Sequence, residues 1–257
     1  MLKPKNVETL TKLLKTSCLN FHKWTDISIR MRYTLFLMDL DDTLFDFKQS
    51  ERKALSSVFL SVGLHDRFEH YSQIYSKINE KLWSDFAKGL LTKDFLKSER
   101  FRIFFETVEI DSHHPVEIGD FYLEELGKCG DVIPDAIQVC EQIKKFGKIG
   151  IVTNGIEKVQ AKKLSNSGLD KVIDFVVSSE KCGFQKPDPR FFHHALEVAG
   201  HSSKEDVVVV GDKLEIDVLG ALNTGVSACW FNPEKQLNST PYIPHHEISL
   251  LVELHTL

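Results

Sequence analysis

The stretch Tyr33-Thr34-Leu35-Phe36-Leu37-Met38, followed at once by Asp39-Leu40-Asp41-Asp42-Thr43, decides the architecture. A short apolar run that ends abruptly in acids reads as a buried parallel strand with a polar C-terminal tip. Comparable runs recur at Ile149 to Val152, Ile173 to Val177, Val207 to Val210 and Val226 to Trp230. Helical stretches separate them, including Pro134 to Lys145, Val159 to Ser167, Pro189 to Ala199 and Ile216 to Thr224. Strand and helix alternating at this spacing predict an α/β fold built on a doubly wound, mostly parallel, Rossmann-like sheet.

Outward from this frame, the interval from about 47 to 130 breaks the alternation. Its periodicity is helical throughout, with Leu55, Val58, Phe59, Tyr71, Ile74, Tyr75, Ile78, Leu82, Phe86, Phe101, Phe104 and Phe105 at helical spacings. These positions predict a helical insert with its own core, punctuated by Gly63, Gly89 and the cluster from Asp111 to Pro115. The expected organisation is an N-terminal extension over 1–30, a Rossmann-like core over 31–46 and 131–257, and the helical insert over 47–130. In the extension Lys3, Lys5, Lys12, Lys15, Lys23 and Arg30 outnumber Glu8 and Asp26, and Leu10, Leu13, Leu14 and Leu19 share one helical face. A loosely docked amphipathic segment is the preferred reading, ahead of a transit peptide or a natural start at Met31.

With 42% hydrophobic and 27% charged residues in 257, the chain has enough apolar material for a substantial core. The formal net charge of -5 leaves no overall positive field to collect nucleic acid or anionic lipid. The expected partner is a small phosphorylated metabolite held by a few local cations and backbone N–H groups, with no nucleic acid polymer and no membrane, in a monomer or homodimer. Five scattered cysteines without a Cys-x-x-Cys pair read as reduced thiols of a cytoplasmic protein rather than a disulfide frame or zinc site. His113-His114, His193-His194 and His245-His246 are sequence neighbours whose side chains diverge, so packing or solvation is expected of them.

In an open α/β sheet, ligands bind beyond the carboxyl ends of the strands. Those tips carry Asp39-Leu40-Asp41-Asp42-Thr43, Thr153-Asn154-Gly155 and Gly211-Asp212, with Asp217 a turn further on and Lys186 in a loop between the third and fourth runs. Carboxylates gathered in one crevice repel one another unless a cation joins them, and an all-oxygen set suits Mg2+. One carboxylate can attack phosphorus, and a second, two residues on, can protonate the leaving alcohol and later deprotonate a water. Thr43, Thr153, Asn154 and Gly155 offer donors to the phosphoryl oxygens, and Lys186 offers a fixed positive charge. Asp-x-Asp-x-Thr alone arises by chance in about one chain in twenty of this length. The ordered set at successive strand tips leaves little room for accident. Asp42 reads as a solvated or helix-capping acid.

These motifs, in this order, resemble the haloacid dehalogenase-like hydrolase superfamily from Met31 to the C-terminus. The resemblance implies Asp39 as nucleophile, Asp41 as acid/base, Thr153 as phosphate binder and Lys186 as the third-motif lysine. It also implies a magnesium site formed by Asp39, the Asp41 backbone carbonyl and Asp212, with Asp217 supporting it, and a small α-helical cap formed by the insert. Ile151 to Gly155, Gly183 to Pro187, Trp230 to Pro233 and Glu247 to Leu250 look like the pyrimidine nucleotidase branch, which implies hydrolysis of nucleoside monophosphates. Lys213, where many relatives have Ser or Thr, departs from the pattern.

Asp41 together with Asp212 argues against a dehalogenase, which needs neither. A phosphatase of another small metabolite, such as phosphoglycolate or a sugar phosphate, and a phosphomutase stay open as alternatives. A non-catalytic phosphoacceptor switch would carry a lone acceptor aspartate and would have no use for the insert. Specificity is expected from the cap. Arg100 is its candidate substrate-binding cation, against a surface salt bridge with Glu99 or Glu106. Trp83 is either a stacking platform or a bundle aromatic.

Overall fold

The computed structural model describes residues 31–111 and 114–257. The extension over 1–30, with Cys18, and His113 lie outside the described residues. Among those described, six parallel strands form one sheet: β1 (Leu35–Met38), β2 (Lys148–Thr153), β3 (Phe175–Ser178), β4 (Val207–Gly211), β5 (Ser227–Phe231) and β6 (His246–Ile248). Their order is β3-β2-β1-β4-β5-β6. The chain winds outward from β1 through β2 to β3, then crosses to β4 on the other flank. The order therefore reverses beside β1, and the tips of β1 and β4 frame the crevice that such a reversal opens.

Alternation along β1 builds both faces of the core. Phe36 and Met38 pack on one side with Val139, Ile143, Leu164 and Val210, while Leu35 and Leu37 pack on the other with Phe191, Phe192 and Val209. Helices α5 (Ala136–Ile143), α6 (Glu157–Ser167), α7 (Ser179–Cys182), α8 (Pro189–Ala199) and α9 (Leu219–Thr224) complete the layers. Most expected boundaries move by one or two residues, and two shifts have a visible cause. The third strand begins at Phe175, because Asp174 instead accepts from the Ile149 N–H at 2.9 Å. The expected helix from Ile216 opens as a π-helical turn over Leu214–Val218 before α9.

Between β1 and α5 the chain is helical: α1 (Phe47–Ser61), α2 (Phe68–Ala87), α3 (Lys93–Thr107) and α4 (Pro115–Lys128). Asp46 caps α1 by accepting from Gln49 N–H at 2.9 Å, and Thr92 caps α3 through Phe95 N–H at 3.2 Å. Gly63 and Gly89 stand at φ 72° just beyond α1 and α2, a backbone state that costs glycine little. Phe59, Tyr71, Tyr75, Phe101, Phe104, Phe105 and Tyr122 form an aromatic core that also takes in Ile156 and Val159 at the start of α6. The chain enters and leaves the insert through a narrow neck. Asp46 N–H donates to Asp131 O at 3.0 Å, Ile133 N–H to Leu44 O at 2.9 Å, and Phe45 bridges Val132.

No described helix is long and apolar enough to cross a membrane. Cys129, Cys140, Cys182 and Cys229 are unpaired. His245 and His246 serve packing: His245 Nδ1 accepts from Ala228 N–H at 3.1 Å and His246 Nε2 meets the Tyr33 hydroxyl at 2.7 Å.

Candidate active site

Asp39 follows the last residue of β1, and its N–H continues the ladder to Val210 O at 2.9 Å. This fixes its side chain at the crevice, 8% exposed as a residue. Lys186, buried in the loop between α7 and α8, donates from Nζ to Asp39 Oδ1 and to Asp217 Oδ1, each at 2.6 Å. The close approach of Asp217 depends on Gly211. A Cβ at that position would fall 2.3 Å from the Asp217 carboxyl carbon, so no side chain fits there. The π-helical turn that carries Asp217 is the local distortion that brings it back against the tip of β4.

Asp39, Asp212 and Asp217 present carboxylate oxygens within 4.8 Å of one another, the one such group of metal-ligating side chains among the described residues. Burial pushes the Asp39 carboxyl up, Lys186 opposes it, and Asp217 and Asp41 add to the rise. Burial likewise lifts Asp212 to about 7, opposed by Lys213 and reinforced by Asp39 and Asp42. Lys186 is held above its ordinary value, since the two flanking carboxylates outweigh its own desolvation. An all-oxygen set whose members crowd one another fits a hard divalent cation. Lys213 Nζ lies 3.0 Å from Asp212 Oδ2, so this departure from the family pattern faces the acidic cluster rather than bulk solvent alone.

The second strand tip is arranged differently from expectation. Thr153 Oγ1 accepts from Gly155 N–H at 2.9 Å, which occupies the Gly155 donor. Asn154 spends its amide on the Lys186 backbone: Oδ1 accepts from Lys186 N–H and Nδ2 donates to Lys186 O, both at 2.9 Å. Its side chain thus positions the lysine loop. Thr43 is fully buried and its Oγ1 has no partner. Asp42 sits at φ 60° beside a polar groove that Lys48, Asp212, Lys213, Trp230 and Asn232 also line. Asp46, not Asp42, caps α1.

Two residues escaped the sequence reading. Both oxygens of Asp41 are engaged by α6, Oδ2 accepting from Gln160 Nε2 at 2.6 Å and Oδ1 from the buried Lys163 ammonium. Gln160 and Lys163, three residues apart on the core-facing side with Val159 and Leu164, were a polar interruption of an apolar face. A third omission is Lys93 on α3. Its Nζ donates to Gly155 O at 3.1 Å and Ser179 Oγ at 2.6 Å, tying the insert to the second strand tip. Gln185 Nε2 makes a similar tie to Phe86 O.

Arg100 is neither exposed nor bound to Glu99 or Glu106. Arg102 takes both glutamates, and Arg100 lies inside the insert, 1% exposed, over the Tyr122 ring. The salt-bridge expectation fails because Arg100 shares the buried face of α3 with Leu96, Phe101 and Phe104. Trp83 is half-buried, edge-on to Phe86 at 5.8 Å.

The family model for haloacid dehalogenase-like hydrolases matches residues 33–225. The chain belongs to this family. Within it, the chain is 31% identical to pyrimidine 5'-nucleotidase YjjG of Escherichia coli over 88% of this chain and 98% of that one. It is also 31% identical to a glyceraldehyde 3-phosphate phosphatase of Methanothermobacter thermautotrophicus, over 76% and 84%. The haloacid dehalogenase-like hydrolase YfnB of Bacillus subtilis, in a structure bound to magnesium that reveals interdomain movement, superposes with a TM-score of 0.80 at 30% identity, covering 88% and 98%. This member of the family is a phosphatase.

Proposed function

We propose that the chain is a Mg2+-dependent phosphomonoesterase that works through an aspartyl-phosphate on Asp39 and acts on nucleoside monophosphates. One observation carries the chemistry: the buried Lys186 ammonium sits 2.6 Å from both Asp39 and Asp217, beside Asp212. Such an array supports a nucleophilic carboxylate placed beside a fixed positive charge for phosphoryl oxygens. Asp39, Asp212, Asp217 and the Asp41 carbonyl would hold Mg2+, which neutralises phosphoryl charge.

Asp39 attacks phosphorus and forms a P–O bond as the ester P–O bond breaks. Asp41 supplies the proton that the departing alkoxide takes. It then removes a proton from water, whose oxygen attacks phosphorus and releases Asp39 and inorganic phosphate. The Lys163 and Gln160 donors orient the Asp41 carboxyl at the edge of the crevice. The helical insert serves as the cap, tied down by Lys93 and Gln185. Thr153 binds phosphate through its hydroxyl, and Asn154 acts through Lys186. The unpaired thiols support a reducing, cytoplasmic setting.

The nucleotide reading is supported by similarity to YjjG across 98% of that protein. A hydrolysis panel of nucleoside monophosphates, sugar phosphates and phosphoglycolate at equal low concentration tests it, with and without Mg2+. Preference for a pyrimidine nucleotide and loss of turnover on chelation are expected. Preference for a sugar phosphate or phosphoglycolate would replace the substrate and keep the mechanism, and activity undiminished by chelation would remove the metal.

A further inference from the structure

Five of the eight buried side-chain atoms that lack a hydrogen-bond partner among the described residues share one place inside the helical insert. They are Arg100 Nε and Nη2, the Tyr75 and Tyr122 hydroxyls, and Asn79 Oδ1. None of these four residues is more than 3% exposed. The guanidinium carbon stands 5.4 Å from the Tyr122 ring centre, and the Tyr75 and Tyr122 rings are 5.4 Å apart. The Tyr75 hydroxyl feels both Arg100 and Tyr122 without hydrogen-bond geometry to either. Glu51 closes the cluster, its Oε1 accepting from Asn79 Nδ2 at 2.9 Å and its Oε2 from Ser76 at 2.7 Å. A carboxylate accepts, so the Asn79 amide nitrogen faces Glu51 and Oδ1 is turned elsewhere.

A buried guanidinium without an ion-pair partner, next to idle hydroxyls, lowers stability relative to an apolar core of the same shape. The surrounding aromatic core would supply that apolar packing, so these polar groups need another reason to be there. Their position provides one. Glu51 feels the charge of Asp42 on the nucleophile loop, and the aromatic core around the cluster runs onto Ile156 and Val159, next to Thr153-Asn154-Gly155. Ser76 and Trp83, on the Asn79 side of α2, are half-buried, so this side of the cluster lies nearer solvent than its aromatic side.

We propose that this cluster recognises the base of the leaving nucleoside, a pyrimidine ring whose edge carries carbonyl acceptors and N–H or amino donors. Nε and Nη2 form the parallel donor pair on the side of a guanidinium, suited to the lone pairs of a base carbonyl oxygen. Asn79 Oδ1 takes an N–H, the tyrosine hydroxyls serve as donor or acceptor, and half-buried Trp83 on the same side of α2 offers a flat face. The proposal rests on the nucleotidase reading above.

The test compares kcat/KM for UMP with that for ribose 5-phosphate, which keeps the sugar phosphate and lacks the base. The proteins are the wild type, Tyr75→Phe, Tyr122→Phe, Asn79→Ala and Arg100→Lys. A fall of about tenfold or more in the UMP to ribose 5-phosphate ratio is expected where a contact is lost. The two Tyr→Phe variants should melt no lower than the wild type, because each loses an unpartnered hydroxyl. A ratio within twofold of wild type in all four variants, or a lowered melting temperature in both Tyr→Phe variants, overturns the proposal and leaves the nucleotidase reading standing. A wild type with no preference for UMP over ribose 5-phosphate sinks that reading, and the base assignment with it.

Discussion

The strand tips and the interior of the insert bury polar groups in opposite ways. At the tips each charge meets a partner: Lys186 lies between Asp39 and Asp217, Asp41 between Gln160 and Lys163, and Asn154 is locked to Lys186 by two hydrogen bonds. Inside the insert, Arg100, Tyr75 and Tyr122 are buried with idle polar atoms. Groups that carry out a reaction need fixed positions and fixed charges, which their neighbours supply. Groups that recognise a visiting molecule keep their hydrogen-bonding capacity unspent until it arrives.

The comparison is broken most severely by Asp39→Asn, which keeps the shape of the carboxylate and removes the nucleophile. Turnover should fall about 10⁴-fold or more with the fold retained, checked by phosphate release and circular dichroism. Lys186→Met comes next, because it leaves Asp39 and Asp217 buried without their shared cation. Breaking a buried ion network this way costs about 3–5 kcal/mol, readable by chemical denaturation. A cation should repair part of the tip region. Asp212 has its carboxyl lifted from 3.8 to about 7 by burial, so the folded protein holds that proton more tightly than the unfolded chain. The stability it brings is full below pH 3.8 and is lost as pH rises through about 7. Melting curves at pH 5 and 7.5 should therefore show a larger rise in melting temperature with Mg2+ at the higher pH. The smallest effect is expected at Arg102→Ala, which removes only exposed pairs with Glu99 and Glu106 and should leave the denaturation midpoint where it is in the wild type.

Much of the sheet was legible because buried parallel strands are continuous apolar runs, and β1, β2, β4 and β5 are such runs. β6 was not, since three residues carry no period, and its pairing with β5 is made by tertiary contact. The π-helical turn was hidden for a related reason: its shape is set by Asp217 reaching back to Gly211 and Lys186. Asp39, Lys186, Asp212 and Asp217 could be gathered in advance because strand order places tips together. Lys163, Gln160 and Lys93 could not, because what a helical side chain meets depends on how the helix is rotated against its neighbour. The surface salt bridge weighed for Arg100 fails for the same reason, since its charge suggests solvent while its helical position faces aromatics.

The neck at Leu44–Asp46 and Asp131–Ile133 has a practical consequence for protein engineering. Chain exit and chain return are stitched together by backbone hydrogen bonds, and these hold whatever side chains lie beyond them. The helices can then be treated as a cassette, exchanged for those of a relative through two junctions, with the sheet and its acidic tips carried over as a common chassis.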